Sequence, residues 1–159
     1  MNLSVLRDFI RRIFCRGLLR NVIIRALSFN KSRAGDEVLR LNRLTGRLQL
    51  EWQARDIHSW DRDTPPQRQA ELFCEQAIRD TDVAIGRLFQ MLPEIEAISV
   101  RVVEPQDAKT VILSGTVVRE DVFGPQLPSS PRMRLKMLGI RYHIVGGHLE
   151  PLNDTSVNS

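Results

Sequence analysis

The chain reads as an α+β domain, in which an antiparallel sheet of about four to six strands is covered on one face by a long and a short helix and preceded by a basic amphipathic helical arm. Three observations predict this. From Thr64 to Pro93, apolar residues recur at three- and four-residue steps, the spacing of a one-sided helix. Stretches before and after it alternate apolar and polar residues with the two-residue period of a half-covered strand. The arginines, finally, crowd into the first 33 residues.

The arm comes first. Residues 1–33 hold seven arginines and one lysine against Asp8, a charge of +7; the remainder holds fifteen basic and eighteen acidic residues, a charge of −3, within a net +4. Between Leu3 and Phe14, Leu6, Phe9, Ile10, Ile13 and Phe14 share one helical face, while Arg7, Asp8, Arg11 and Arg12 share the other. Past Arg16-Gly17 the stripe shifts to Leu18, Leu19, Val22, Ile23, Ala26 and Leu27, broken by Arg20 and Arg25, so Gly17 marks an expected bend. Such a helix docks on its own domain or on a second copy, lies in an anionic membrane interface, or acts as a mitochondrial transit peptide. A secretory signal is disfavoured, because arginines interrupt every apolar run. Nucleic acid is disfavoured too: base stacking needs aromatics among the basic groups, and of Phe9, Phe14 and Phe29 the first two lie on the apolar face.

Asn30 to Gly35 reads as a linker, and a globular domain spans residues 36–152. Val38 to Leu41 is expected to form a short strand, with a turn at Asn42 to Gly46. In the next strand Leu48, Leu50, Trp52 and Ala54 alternate with Gln49, Glu51, Gln53 and Arg55, which places Trp52 beneath the long helix. Thr64 is expected to cap that helix, with Pro65 at its first position and Gln67 completing a capping box; Pro93 ends it. Its apolar stripe includes Phe73, Cys74, Ala77, Ile78, Ala84, Ile85 and Leu88.

Ile95–Glu104 and Thr110–Arg119 form a predicted hairpin, followed by a loop from Phe123 to Pro131. Ser130, Pro131 and Gly139 bound a short helix. Ile140–Val145 then returns through Gly146-Gly147, a pair suited to a two-residue turn, into His148–Leu152, with Ile144 facing Leu149 and His143 facing Glu150. Residues 153–159 form a polar tail. From Leu48 the order is strand, helix, strand, strand, helix, strand, the βαββαβ order of ferredoxin-like folds.

Composition narrows the function classes. A hydrophobic share of 42% with 26% charged residues is that of a folded domain, and no apolar run approaches the length of a membrane span. Cys15 and Cys74 have neither disulfide nor zinc-ligand spacing, and Cys74 falls on the buried stripe. Two places gather chemistry-bearing side chains. His58, Trp60, Asp61 and Asp63 crowd a loop between a strand and a helix, where a histidine–carboxylate pair would serve acid–base or metal chemistry. His143, His148 and Glu150, with Arg141, share one polar sheet face and are of zinc- or iron-ligating type. There is no glycine-rich phosphate loop, no GxSxG elbow and no kinase signature, and no cofactor is implied.

The sequence therefore favours a small non-enzymatic interaction module. It would dock through Arg7, Arg11, Arg12, Arg16, Arg20 and Arg25 on an anionic membrane surface or a partner protein, with a homo-oligomer as a further arrangement. That reading implies a cytoplasmic, membrane-peripheral protein, or a mitochondrial one if the arm is a transit peptide. The alternative is a small metal-dependent or acid–base hydrolase built on one of the two histidine clusters.

Overall fold

The computed structural model describes residues 17–27, 38–124 and 126–153. Residues 17–26 are helical (α1). The strands are β1 (Val38–Leu44), β2 (Arg47–Gln53), β3 (Ala97–Val103), β4 (Val111–Val118), β5 (His143–Val145) and β6 (His148–Glu150). The remaining helices are α2 (Pro66–Met91), α3 (Arg119–Phe123) and α4 (Pro131–Met137), and a 3-10 turn occupies Ser59–Asp63.

The α+β class stands, with a four-stranded sheet in the order β1-β2-β3-β4 and a separate β5-β6 ribbon. The ferredoxin-like, all-antiparallel expectation does not match this order. β2 and β3 lie side by side and parallel, Arg47 opposite Ala97 and Gln53 opposite Val103, so no strand separates the two arms of the β2-α2-β3 crossover. β1 occupies the other edge of β2, from Val38 opposite Trp52 to Leu44 opposite Arg47. The reason is local: Thr45-Gly46 closes a tight hairpin, Gly46 having φ +68°, and a neighbour reached through two residues forms at far lower closure entropy than the last strand of the chain. That last segment is left to pair with itself, and its backbone bonds to the sheet where Ser114 and Arg141 exchange hydrogen bonds and Leu152 N–H donates to the Val111 carbonyl.

β1 also runs further than expected, continuing to Leu44 through the predicted turn. The start of α2 differs as well. Pro65 is the capping position and no side chain caps the helix. Thr64 Oγ1 instead donates back to the Asp61 carbonyl at 2.6 Å, because the 3-10 turn claims it, and Gln67 reaches the Gly146 carbonyl at 2.5 Å. Gln69 ties the junction by donating to the carbonyls of Arg62 and Thr64.

The helix α3 had no sequence cue, and β5 and β6 are shorter than expected, but the end of α4 and the turn of the ribbon match theirs. Gly139, at φ +88°, ends α4, with its N–H on the Lys136 carbonyl and the Ile140 N–H on that of Leu135, the paired bonds of a Schellman motif. Gly146 and Gly147 both have positive φ, and Ile144 faces Leu149 as His143 faces Glu150.

The core lies between the inner sheet face and the helices. Leu48, Leu50 and Trp52 of β2, Ile98, Val100 and Val102 of β3, and Leu113 and Val117 of β4 meet Cys74, Ala77, Ile78, Ile85 and Leu88 of α2. Leu135 and Leu138 join from α4, and Leu19, Ile23, Ala26 and Leu27 join from α1. Bidentate ion pairs bound this core: Arg55 holds Asp80 at 2.6 and 3.1 Å, and Arg134 of α4 holds Asp82 of α2 at 3.0 and 2.5 Å. The opposite sheet face has no helix on it among the described residues and carries polar pairs such as Ser99 with Thr116 and Asn42 with Gln49.

Candidate functional site

The cationic surface begins at α1. Its apolar side is sealed into the core, Ile23 completely so, while Arg20 and Arg25 are exposed. The helix is also held end-on by Arg87 of α2, which donates to the Ala26 carbonyl at 3.4 Å. Of the arginines singled out in the arm, Arg7, Arg11, Arg12 and Arg16 lie outside the described residues. The structure adds two that sequence patterning had not grouped with them. Arg40 and Arg43 of β1 join Arg20 around a groove of about 430 Å³ whose floor includes Leu19 and Leu41. Arg40 fell in the expected short strand and Arg43 in the expected turn after it, and nothing in the spacing indicated that α1 would lie beside them.

The groove has counter-charges behind it rather than in it. Arg43 pairs with Glu94 at 3.0 Å, and Arg40 lies 3.8 Å from Glu51. Glu51 is shared with Arg101, at 3.2 Å, and stands over the bare sheet face with its side chain 11% exposed. Here a second hollow of about 420 Å³ is lined by Arg40, Asn42, Gln49, Glu51, Ser99 and Arg101.

The His58 loop is assembled only in part. His58 Nδ1 accepts the Trp60 N–H at 3.3 Å, and the two rings meet edge to face with centroids 4.6 Å apart. Trp60 is 84% exposed, as its loop position suggested. Arg62 pairs with Asp56 at 3.4 Å and not with its neighbour Asp61, whose backbone carbonyl is taken up by Thr64. Asp63 is exposed at the end of the turn. Through Nδ1, His58 caps the 3-10 turn.

At the other end the register is the expected one: His143 faces Glu150 across the β5-β6 ribbon, and His148, opposite Val145, lies two residues from Glu150 on the same face. Among the described residues no three of His, Cys, Asp and Glu come together as a metal-binding group. Cys74 is buried, and burial raises its thiol above the ordinary value, partly offset by Arg132; a protonated, enclosed thiol is a poor nucleophile. Asp80 is likewise raised by burial, with Arg55 working against the shift. Cys74 sits in the packed interior, and Asp80 borders a small hollow beside Trp52, Gln53 and Arg55.

The chain matches no protein-family model, no curated protein and no solved structure. No described helix is long and apolar enough to cross a membrane.

Proposed function

We propose that this chain is a small non-enzymatic docking module that attaches to an anionic membrane surface through its arginine-rich arm. The observation that carries the reading is the charge of +7 on residues 1–33, with Arg20 and Arg25 exposed on α1; the apolar side of α1 itself is sealed into the core, as docking on its own domain requires. A helix anchored this way has spent its own apolar side on the fold. Its outward Arg20 and Arg25 are thereby held at one place on the molecule. In this reading the arm continues from Leu3 to Phe14 as a basic amphipathic helix, with Leu6, Phe9, Ile10, Ile13 and Phe14 entering the headgroup boundary and Arg7, Arg11, Arg12 and Arg16 meeting lipid phosphates. The body, at −3, adds little attraction, so the arm at +7 sets the orientation. The protein would be cytoplasmic and membrane-peripheral.

Co-sedimentation of the full chain with phosphatidylglycerol vesicles tests this against a variant in which Arg7, Arg11, Arg12 and Arg16 are all glutamine. Each near-surface basic residue contributes on the order of 1 kcal/mol, so the variant should partition at least about tenfold less. Equal recovery of both proteins would remove the membrane reading, and equal recovery with phosphatidylcholine would remove its dependence on anionic lipid. A partner protein would then be the remaining anionic surface.

A further inference from the structure

We propose that the free edge of β1, together with the groove between it and α1, takes an acidic, extended segment of a partner protein as an added strand. This goes beyond membrane docking by the arm and does not depend on it.

The backbone provides the first part of the argument. β1 is the end strand of the sheet, with β2 as its one neighbour among the described residues. In a hairpin closed by a two-residue turn, the closing residues Leu44 and Arg47 exchange backbone bonds, and the pattern alternates along the pair. Asn42 therefore bonds toward β2, while the peptide groups of Leu41 and Arg43 face away from it. An edge of this kind is a template for another strand.

The side chains decide which strand. Arg20, Arg40 and Arg43 line the groove beside that edge, and no acidic residue does. Glu94 pairs with Arg43 and Glu51 lies near Arg40, so the rim carries one more positive than negative group; a second copy paired edge to edge would double that excess, and a basic segment would add to it. An acidic segment offsets it. Leu39 is exposed and Leu41 half-buried at the same edge, so apolar residues alternating with the acidic ones would find a surface at strand spacing. A lipid headgroup would use the arginines but leave the outward peptide groups of β1 unused.

The probe is a labelled peptide of about eight residues alternating glutamate and valine, titrated into the full isotopically labelled chain. Saturable binding is expected, with amide shifts centred on Leu39, Leu41, Arg43 and Arg20. The same peptide N-methylated at every residue should fail to bind, since neither of its edges can then complete the ladder, and a lysine–valine peptide should fail on charge. Replacing Arg20, Arg40 and Arg43 together by glutamine should weaken binding about tenfold, with a thermal melt confirming the fold; the N-methylated arm needs no variant at all. Equal binding of the N-methylated or the lysine peptide would overturn the proposal, as would absence of saturation or shifts located elsewhere. Two further results would reassign the edge: phosphatidylglycerol vesicles shifting these amides where the peptide does not, or a dimer whose protected amides are those of β1.

Discussion

At Gly115 the outer segment of the chain comes closest to the sheet. A Cβ at this position would lie 2.3 Å from the Gly139 carbonyl oxygen and 3.0 Å from the Ile140 Cα, both backbone atoms that have no side-chain freedom to yield. Gly115→Ala should therefore destabilise the protein by about 1–3 kcal/mol, read from the denaturation midpoint. In the sequence this glycine was one small residue in a β-branched run, with no partner in view. The two tryptophans offer an independent check. Trp52 is 2% exposed and Trp60 84% exposed, so Trp60→Phe should abolish most iodide quenching of fluorescence and change stability by no more than about 0.5 kcal/mol. Arg55 and Asp80 give a pH prediction. Burial raises the Asp80 carboxyl above its ordinary value of 3.8, so the folded state holds this proton more tightly than the unfolded chain. Its contribution to stability is complete below the unfolded value and is lost as pH rises through the folded one. Arg55 limits that loss. Arg55→Met should cost about 3 kcal/mol at neutral pH, and the deficit should narrow as the pH falls toward about 4 and Asp80 becomes neutral, measured by urea denaturation across pH.

Among the elements, α1 connects the arm to the fold. If it were a detachable leader, truncating its apolar side would leave the body unchanged. With Ile23 fully buried, Ile23→Ala should instead lower the stability of the whole domain by about 2–5 kcal/mol, in a single thermal transition. The periodicity of Leu18 to Leu27 shows a helix with one apolar side, but it does not say whether lipid or protein covers that side. Elements bounded by their own chemistry were legible in advance: α4 between Ser130-Pro131 and Gly139, and the ribbon turned by Gly146-Gly147. Strand order was not, because which strand lies beside β2 is settled by competition between a hairpin partner reached through two residues and a distant one. Phe89 and Asp80, both buried on α2, also escaped the stripe; α1 and α4 flank α2, so its buried arc is wider than one sheet face requires.

For the whole molecule, the separation of charge is the property that reaches furthest. An arm at +7 on a body at −3 is a dipole, and its attraction to an anionic vesicle should fall steeply with salt as the screening length shrinks from about 10 Å at 0.1 M to about 3 Å at 1 M. Vesicle recovery that is flat across this range would show that apolar insertion alone drives attachment. The His58 loop and the His143, His148, Glu150 group were legible as local crowds of residues; the ribbon register, set by the glycine turn, places the second group on one face as expected, whereas His58 turns to its own backbone.

What the residues alone determined is what depends on near neighbours: the two-residue and 3.6-residue periods, the glycine turns, the charge carried by each part, and hence the α+β class. The tertiary structure alone decided what depends on distant parts meeting: the parallel β2–β3 pairing, the sealing of α1 into the core, and the gathering of Arg20 with Arg40 and Arg43. The physical reason is that local choices are made by backbone geometry and hydration one residue at a time, whereas meetings of distant segments are chosen by burying the whole apolar surface at the lowest cost in chain entropy.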